Sequence, residues 1–142
     1  MKLPDLNLLI YAVDRRSPSH KATVRWWNEL LSGNETVAFS WTVLLGFVRL
    51  TTNPSVMVST LSPGEALDYV DRWLAVPVTT VIEPTSGHAR ILRDLLLDVG
   101  TGGNLVSDAH LAALAIEHGA ELCSADRDFG RFAGLRWTNP LD

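Results

Sequence analysis

Asp5, Asp108, Asp126 and Asp128 are the residues of this chain whose type and placement promise chemistry. Asp5 closes the short segment Lys2-Leu3-Pro4 and opens Asp5-Leu6-Asn7. Asp108 opens the apolar helical pattern Asp108–Ala115, and Asp126 follows the strand-like run Glu121–Ala125, with Asp128 two residues on. Carboxylate oxygens are the donors that Mg²⁺ and Mn²⁺ prefer. A cation held by several aspartates can activate water and offset charge on a phosphoryl group. Singly, each acid has a plainer reading. An acid in a first helical turn is favoured by the helix dipole, and Asp126-Arg127-Asp128 reads equally as a turn carrying solvated acids. Their joint placement at the ends of regular elements favours a site, which only folding can assemble.

The elements that must position them alternate. A short strand ends at Asp5 and a helix follows through Leu8, Leu9, Tyr11 and Ala12. Ser17-Pro18 has the form of a helix start, with a capping serine and proline in the first turn. That helix runs to about Gly33. Thr36–Phe39 is a strand, Ser40 caps a helix from Trp41 to about Thr51, and Asn53-Pro54 stops it. Ser62-Pro63-Gly64-Glu65 is a capping box opening a helix to about Ala75. Val78–Ile82 is strand-like, and Thr85 or Ser86 starts a helix ending before Gly100. A helix from about Val106 to His118 stops at Gly119, Glu121–Ala125 is a strand, and Leu135–Thr138 a last one. Alternation of this kind implies an α/β fold with a mainly parallel central sheet flanked by helices. Ligands of such sheets bind beyond the carboxyl ends of the strands, where Asp5 and Asp126 fall. Pro4 stands in tension with a central strand, because proline cannot donate to the ladder. Its nitrogen is expected to face away from the neighbouring strand.

At 142 residues, residues 1–142 are expected to form one domain. The hydrophobic share of 46% and charged share of 20% are those of a globular chain. A net charge of −4 argues against a protein that coats nucleic acid nonspecifically, though not against a nuclease, whose acidic site is offset by bound cations. Cys123 is the one cysteine, so no intramolecular disulfide forms, and its apolar surroundings make it a small buried hydrophobe. No secretory signal is visible, and no run approaches the ~18 apolar residues of a membrane span. The expectation is a cytoplasmic protein with no membrane contact.

Four segments together resemble the PIN-domain ribonucleases of the VapC toxin type, in particular their large mycobacterial-type subgroup. They are Leu3–Ala12, Gly46–Pro54, Ser107–Ala115 and Leu122–Phe129, in that order along essentially the whole chain. The Asp-x-Asn start alone is a weak signal; the ordered set is a strong one. The resemblance implies a PIN-like fold and a Mg²⁺-dependent endoribonuclease, with Mn²⁺ an alternative. It also implies the toxin half of a toxin–antitoxin pair, restrained by a VapB-like antitoxin and assembled as a homodimer. By resemblance Asp5, Asp108 and Asp126 are catalytic residues and metal ligands, and Asp128 supports the metal. Asn7 orients Asp5 or a metal-bound water, its alternative being an ordinary helix-start asparagine. Arg49 either contacts phosphate or pairs with an aspartate.

One departure from the family pattern matters. Most members carry a glutamate on the third helix; the matching position here reads as Leu44, and no acid lies between Glu35 and Glu65. That motivates an alternative function, a catalytically degenerate PIN domain that binds its antitoxin without cleaving RNA. A third class, transfer through an aspartyl phosphate on Asp5, needs a late lysine, and this chain has only Lys2 and Lys21. Arg127 and Arg131 read as solvated surface ahead of RNA contacts. Trp26, Trp27, Trp41 and Trp73 read as packing residues ahead of base-stacking ones. His110 and His118 lack the further ligands a zinc site requires.

Overall fold

The computed structural model describes all 142 residues. Its elements are β1 (Lys2–Pro4), α1 (Leu6–Val13), α2 (His20–Ser32), β2 (Val37–Phe39), α3 (Trp41–Thr51), α4 (Pro63–Leu74), β3 (Thr79–Val81), α5 (His88–Val99), α6 (Leu105–Glu117), β4 (Glu121–Cys123), the 3₁₀ turn η1 (Arg127–Arg131) and β5 (Trp137–Thr138). The strands form one parallel five-stranded sheet in the order β3-β2-β1-β4-β5. The right-handed rule for parallel crossovers assigns α1–α4 to one face and α5 and α6 to the other. Packing of α1 on α2 and α3, α3 on α4, and α5 on α6 agrees with that division. The strand order reverses between β1 and β4, so the ends of these two strands flank the switch point where open parallel sheets bind ligands.

The core is continuous from the sheet into both helical layers. Leu3, Val37, Ala38, Phe39 and Leu122 are fully buried on the strands. On the α1–α4 side Trp27, Phe39, Phe47, Tyr69 and Trp73 form an aromatic group: Trp27 meets Trp73 edge-on at 5.7 Å, and Phe47 lies 4.9 Å from Trp73. Contacts of this kind add about 0.5–1.5 kcal/mol each beyond area burial. Trp27 and Trp73 are therefore core residues, while Trp41 is exposed. On the other side α6 is buried along most of its length, because Ala109, Ala112, Ala113 and Ala115 let its backbone approach its neighbours closely. Burial pushes the Cys123 thiol up to about 12, which makes it an inert packing residue.

Three local expectations shift. The second helix begins at His20, not at Ser17-Pro18. Ser17 Oγ accepts from Ser19 N at 3.1 Å and His20 Nδ1 meets Tyr11 O at 2.8 Å, so the serine closes a turn that pins the chain to α1. Likewise α5 begins at His88, because Thr85 is committed elsewhere, donating from N and Oγ1 to Glu117 Oε1 at 3.1 and 2.6 Å. Pro4 sits in a central strand. Lys2 N donates to Thr36 O on the β2 side, so the Pro4 nitrogen, two residues on, faces β2 instead of away from it. Pro4 is tolerated because the β1–β2 register holds only at Lys2–Val37, while β1–β4 pairing runs through Pro4–Cys123. The capping box at Ser62–Glu65 forms as its spacing predicts, and Gly119 follows α6 at a φ of 64° that disfavours any residue with a Cβ.

Candidate metal centre

Parallel pairing of β1 with β4 brings the first acid to the last pair. Asp5 leaves β1 in extended geometry and caps α1, its side chain accepting from Leu6 N at 2.7 Å. Its other oxygen accepts from Ser124 Oγ at 2.7 Å and from Asn7 Nδ2 at 3.2 Å. Ser124 is fully buried one residue beyond β4. Its hydroxyl also accepts from Asn7 Nδ2 at 3.1 Å and from Asp126 N at 3.0 Å. This one hydroxyl ties Asp5 to the backbone that carries Asp126. Sequence reasoning missed Ser124. A serine two residues before an acid, near the end of the strand-like run that leads to it, was the available signal. Asn7 does meet Asp5, and its Oδ1 accepts from Ala125 N at 3.4 Å, so it clamps the two strand ends together.

Asp126 caps η1, accepting from Asp128 N at 2.9 Å, and that tight turn points both acids the same way. Asp108 comes from the first turn of α6. One carboxylate oxygen from each of Asp108, Asp126 and Asp128 lies within 4.8 Å of the others. Asp5 and Asp108 line a cleft of about 200 Å³ with Thr42, Gly46, Arg49 and Ser107. The four acids also sense one another. Burial, then the charges of Asp126, Asp5 and Asp128, push the Asp108 carboxyl up to about 6. Burial likewise raises Asp5, with Asp126 adding to it, against the lowering effect of its bonds from Ser124 and Leu6. Carboxylates crowded in this way are held apart by their own charge, and a hard divalent cation relieves that repulsion. The donors are all oxygen, with no imidazole or thiolate among them, which suits Mg²⁺ or Mn²⁺ better than zinc.

The third helix corrects one expectation. Leu44 is fully buried in the core and does not line the cleft. Thr42, Val43, Gly46 and Arg49 are the α3 residues that do. At ~100° per residue, position 44 points some 200° away from position 46. Gly46 does line the cleft, and an added Cβ there would lie 2.9 Å from Leu6 Cδ2. Arg49 supplies a cation to the cleft wall and joins none of the ion pairs of the fold, so of its two expected roles the aspartate pairing does not occur. Arg127 is held at the surface by Asp142 at 3.0 Å. His110 and His118 do not share a site: His110 Nδ1 meets His88 Nε2 at 2.9 Å, and His118 Nε2 meets Glu83 O at 2.7 Å.

Comparison with known proteins gives a consistent result. The PIN domain family matches residues 2–135. Ribonuclease VapC37 of Mycobacterium tuberculosis is 49% identical over 140 residues, spanning 99% of this chain and 97% of that protein. Ribonuclease VapC33 of the same species is 38% identical over 141 residues and 99% of each chain. Among solved structures, VapBC2 from Rickettsia felis bound to a promoter DNA fragment superposes with a TM-score of 0.69 at 22% identity, over 97% of each chain. The sarcin-ricin loop cleaving toxin VapC20 of M. tuberculosis also scores 0.69, at 18% identity over 96% of this chain and 99% of that one. These two likenesses concern the fold.

Proposed function

This chain belongs to the PIN-domain family, among the VapC-type ribonucleases, and from that premise we propose that it is a metal-dependent endoribonuclease, the toxin of a toxin–antitoxin pair. The observation that carries the proposal is the convergence of Asp108, Asp126 and Asp128 oxygens within 4.8 Å, beside an Asp5 that Ser124, Leu6 and Asn7 hold in place. Asp108, Asp126 and Asp128 would hold Mg²⁺ or Mn²⁺, with Asp5 facing the same cleft. When bound, the ion supplies charge neutralisation at a phosphate and a lowered pKa for water. The chain's own residues do the rest. Ser124 and Leu6 N fix Asp5 so that its oxygens are aimed before substrate arrives. Arg49 on the α3 wall meets a phosphate oxygen and draws the backbone into the cleft.

RNA is the proposed substrate, cut where bases are unpaired and the strand can enter a narrow cleft. The solved VapBC complexes, some of them bound to DNA, support a VapB-like antitoxin as partner. A homodimer acting in the cytoplasm completes the proposal. The alternative of a degenerate, antitoxin-binding domain is not favoured, because the acids gather although α3 adds none.

The test is incubation of the protein with total RNA in Mg²⁺ or Mn²⁺, beside EDTA and Asp5→Ala controls, with sequencing of fragment ends. Discrete metal-dependent cuts, absent from a folded Asp5→Ala protein, are expected. Cuts that persist in EDTA or in the variant would sink the assignment.

A further inference from the structure

A second cleft lies at the other end of α1. It has a volume of about 310 Å³ and is lined by Asp14, Arg15, Arg16, Met57, Ser59 and Thr60, among others. Arg15 and Arg16 are exposed and take part in none of the ion pairs of the fold. Asp14 is occupied locally, its Oδ1 accepting from Arg16 N at 3.1 Å. Two unpaired guanidinia against one engaged carboxylate make this a cationic spot on a chain whose net charge is −4.

Its position relates it to the acids. Leu6, at the start of α1, lines the acidic cleft, and Val13, the last residue of α1, lines this one. The eight residues of α1 span ~12 Å. The other wall also continues between the clefts. Arg49 of α3 lines the acidic cleft, and the Met57–Leu61 segment is fastened to the end of α3 by Leu61 N donating to Thr51 O at 2.8 Å. The two clefts therefore lie along one α1–α3 seam, acids at one end, Arg15 and Arg16 at the other, and Arg49 on the way.

We propose that the Arg15–Arg16 cleft is a backbone subsite for the RNA strand cut at the acidic cleft, binding phosphates a few nucleotides from the scissile bond. The ~12 Å length of α1 is a distance that a short run of unpaired strand spans. Guanidinium forks suit phosphate oxygens, and the hydroxyls of Ser59 and Thr60 line the same space. Contacts of this kind position a strand and carry no sequence information. The proposal rests on the nuclease reading above and adds the direction in which the substrate extends.

The experiment compares wild type with Arg15→Gln/Arg16→Gln on oligonucleotides carrying a target cut site with one or with six nucleotides on one flank, each flank being tested in turn. Cleavage is followed in Mg²⁺ or Mn²⁺, and binding in EDTA. The expected result is a roughly tenfold rise in KM for the RNA with the longer flank on one side only, with the short-flank RNA unaffected. The slope of log affinity against log salt should fall by about 1.4, for two lost single-strand phosphate contacts. Arg15→Lys/Arg16→Lys should recover that slope, which a merely structural role would not predict. Equal KM and equal salt slope in a wild type and variant that both cut RNA would overturn the subsite and leave the nuclease reading standing. A wild type that neither binds nor cuts RNA would overturn the nuclease reading and this one with it.

Discussion

Asp108→Asn should make the metal-free protein more stable while removing its response to metal. The Asp108 carboxyl is pushed to about 6 from the ordinary 3.8 by burial and by three neighbouring carboxylates, with no hydrogen bond among the causes. Asparagine therefore loses no partner and sheds a charge the site disfavours. At about 1.4 kcal/mol per tenfold change in proton affinity, the ceiling is roughly 3 kcal/mol. Asp108 is only half-buried, so solvent screening reduces that to about 1.5 kcal/mol. The favourable placement of an acid in the first turn of α6 takes back about 0.5 kcal/mol. The net gain of about 1 kcal/mol corresponds to roughly 3 °C in Tm for a chain of 142 residues. The sign with pH follows. Because the folded-state pKa is raised, the native protein binds more protons than the unfolded chain between 3.8 and about 6. The penalty from this group is thus absent at low pH, grows as pH rises through that window, and is complete above about 6. Thermal unfolding of both proteins in EDTA should show the variant ahead at pH 7.5 and the gap closed near pH 4. Saturating Mn²⁺ at pH 7.5 should then reverse the order, since a ligand at 100 times its Kd adds about 2.7 kcal/mol to the protein that binds it. A variant that is no more stable at pH 7.5, or a gap that persists at pH 4, would refute the electrostatic reasoning.

Ser124→Ala leaves Asp126 N without a partner inside the protein and Asp5 Oδ2 with Asn7 alone, so it should cost about 1–3 kcal/mol by denaturant unfolding and lower kcat more than it raises KM. Leu44→Glu buries an unpaired acid among the core residues and should destabilise by roughly 3–5 kcal/mol, or prevent folding, as circular dichroism would reveal. Gly46→Ala should cost only about 1 kcal/mol, because the Cβ meets the flexible end of Leu6, and should leave metal-induced stabilisation in place. His88→Ala removes the partner of Glu117 Oε2, whose side chain is 1% exposed, as well as that of His110 Nδ1. Hydrogen exchange should show loosening of the α5–α6 pair and a loss of about 2–3 kcal/mol.

Much of this protein is legible in its sequence because the signals are local. The Ser62–Glu65 capping box, the stop at Gly119 and the breaker at Asn53-Pro54 depend on backbone groups within a few residues, and each forms where its residues stand. Strand–helix alternation carries the parallel sheet, and acids placed at strand ends mark the candidate site, since parallel sheets collect ligands at those ends. What tertiary structure alone decided is rotation and pairing across distance. Whether position 44 or 46 of α3 faces the acids depends on which side of that helix packs into the core, where Phe47 meets Trp73, and the apolar stretch Val43–Val48 leaves that phase undefined. Ser124 became the keystone of the acids only once β1 and β4 lay side by side. Pro4 could enter a central strand only because β2 parts from β1 after one paired residue. The seam joining the acidic cleft to Arg15 and Arg16 likewise arises from two helices packed together. A sequence states which groups are available and how each short segment folds; the rotational phase of a helix and the partner of a strand are set by long-range packing, whose free energy belongs to the whole core.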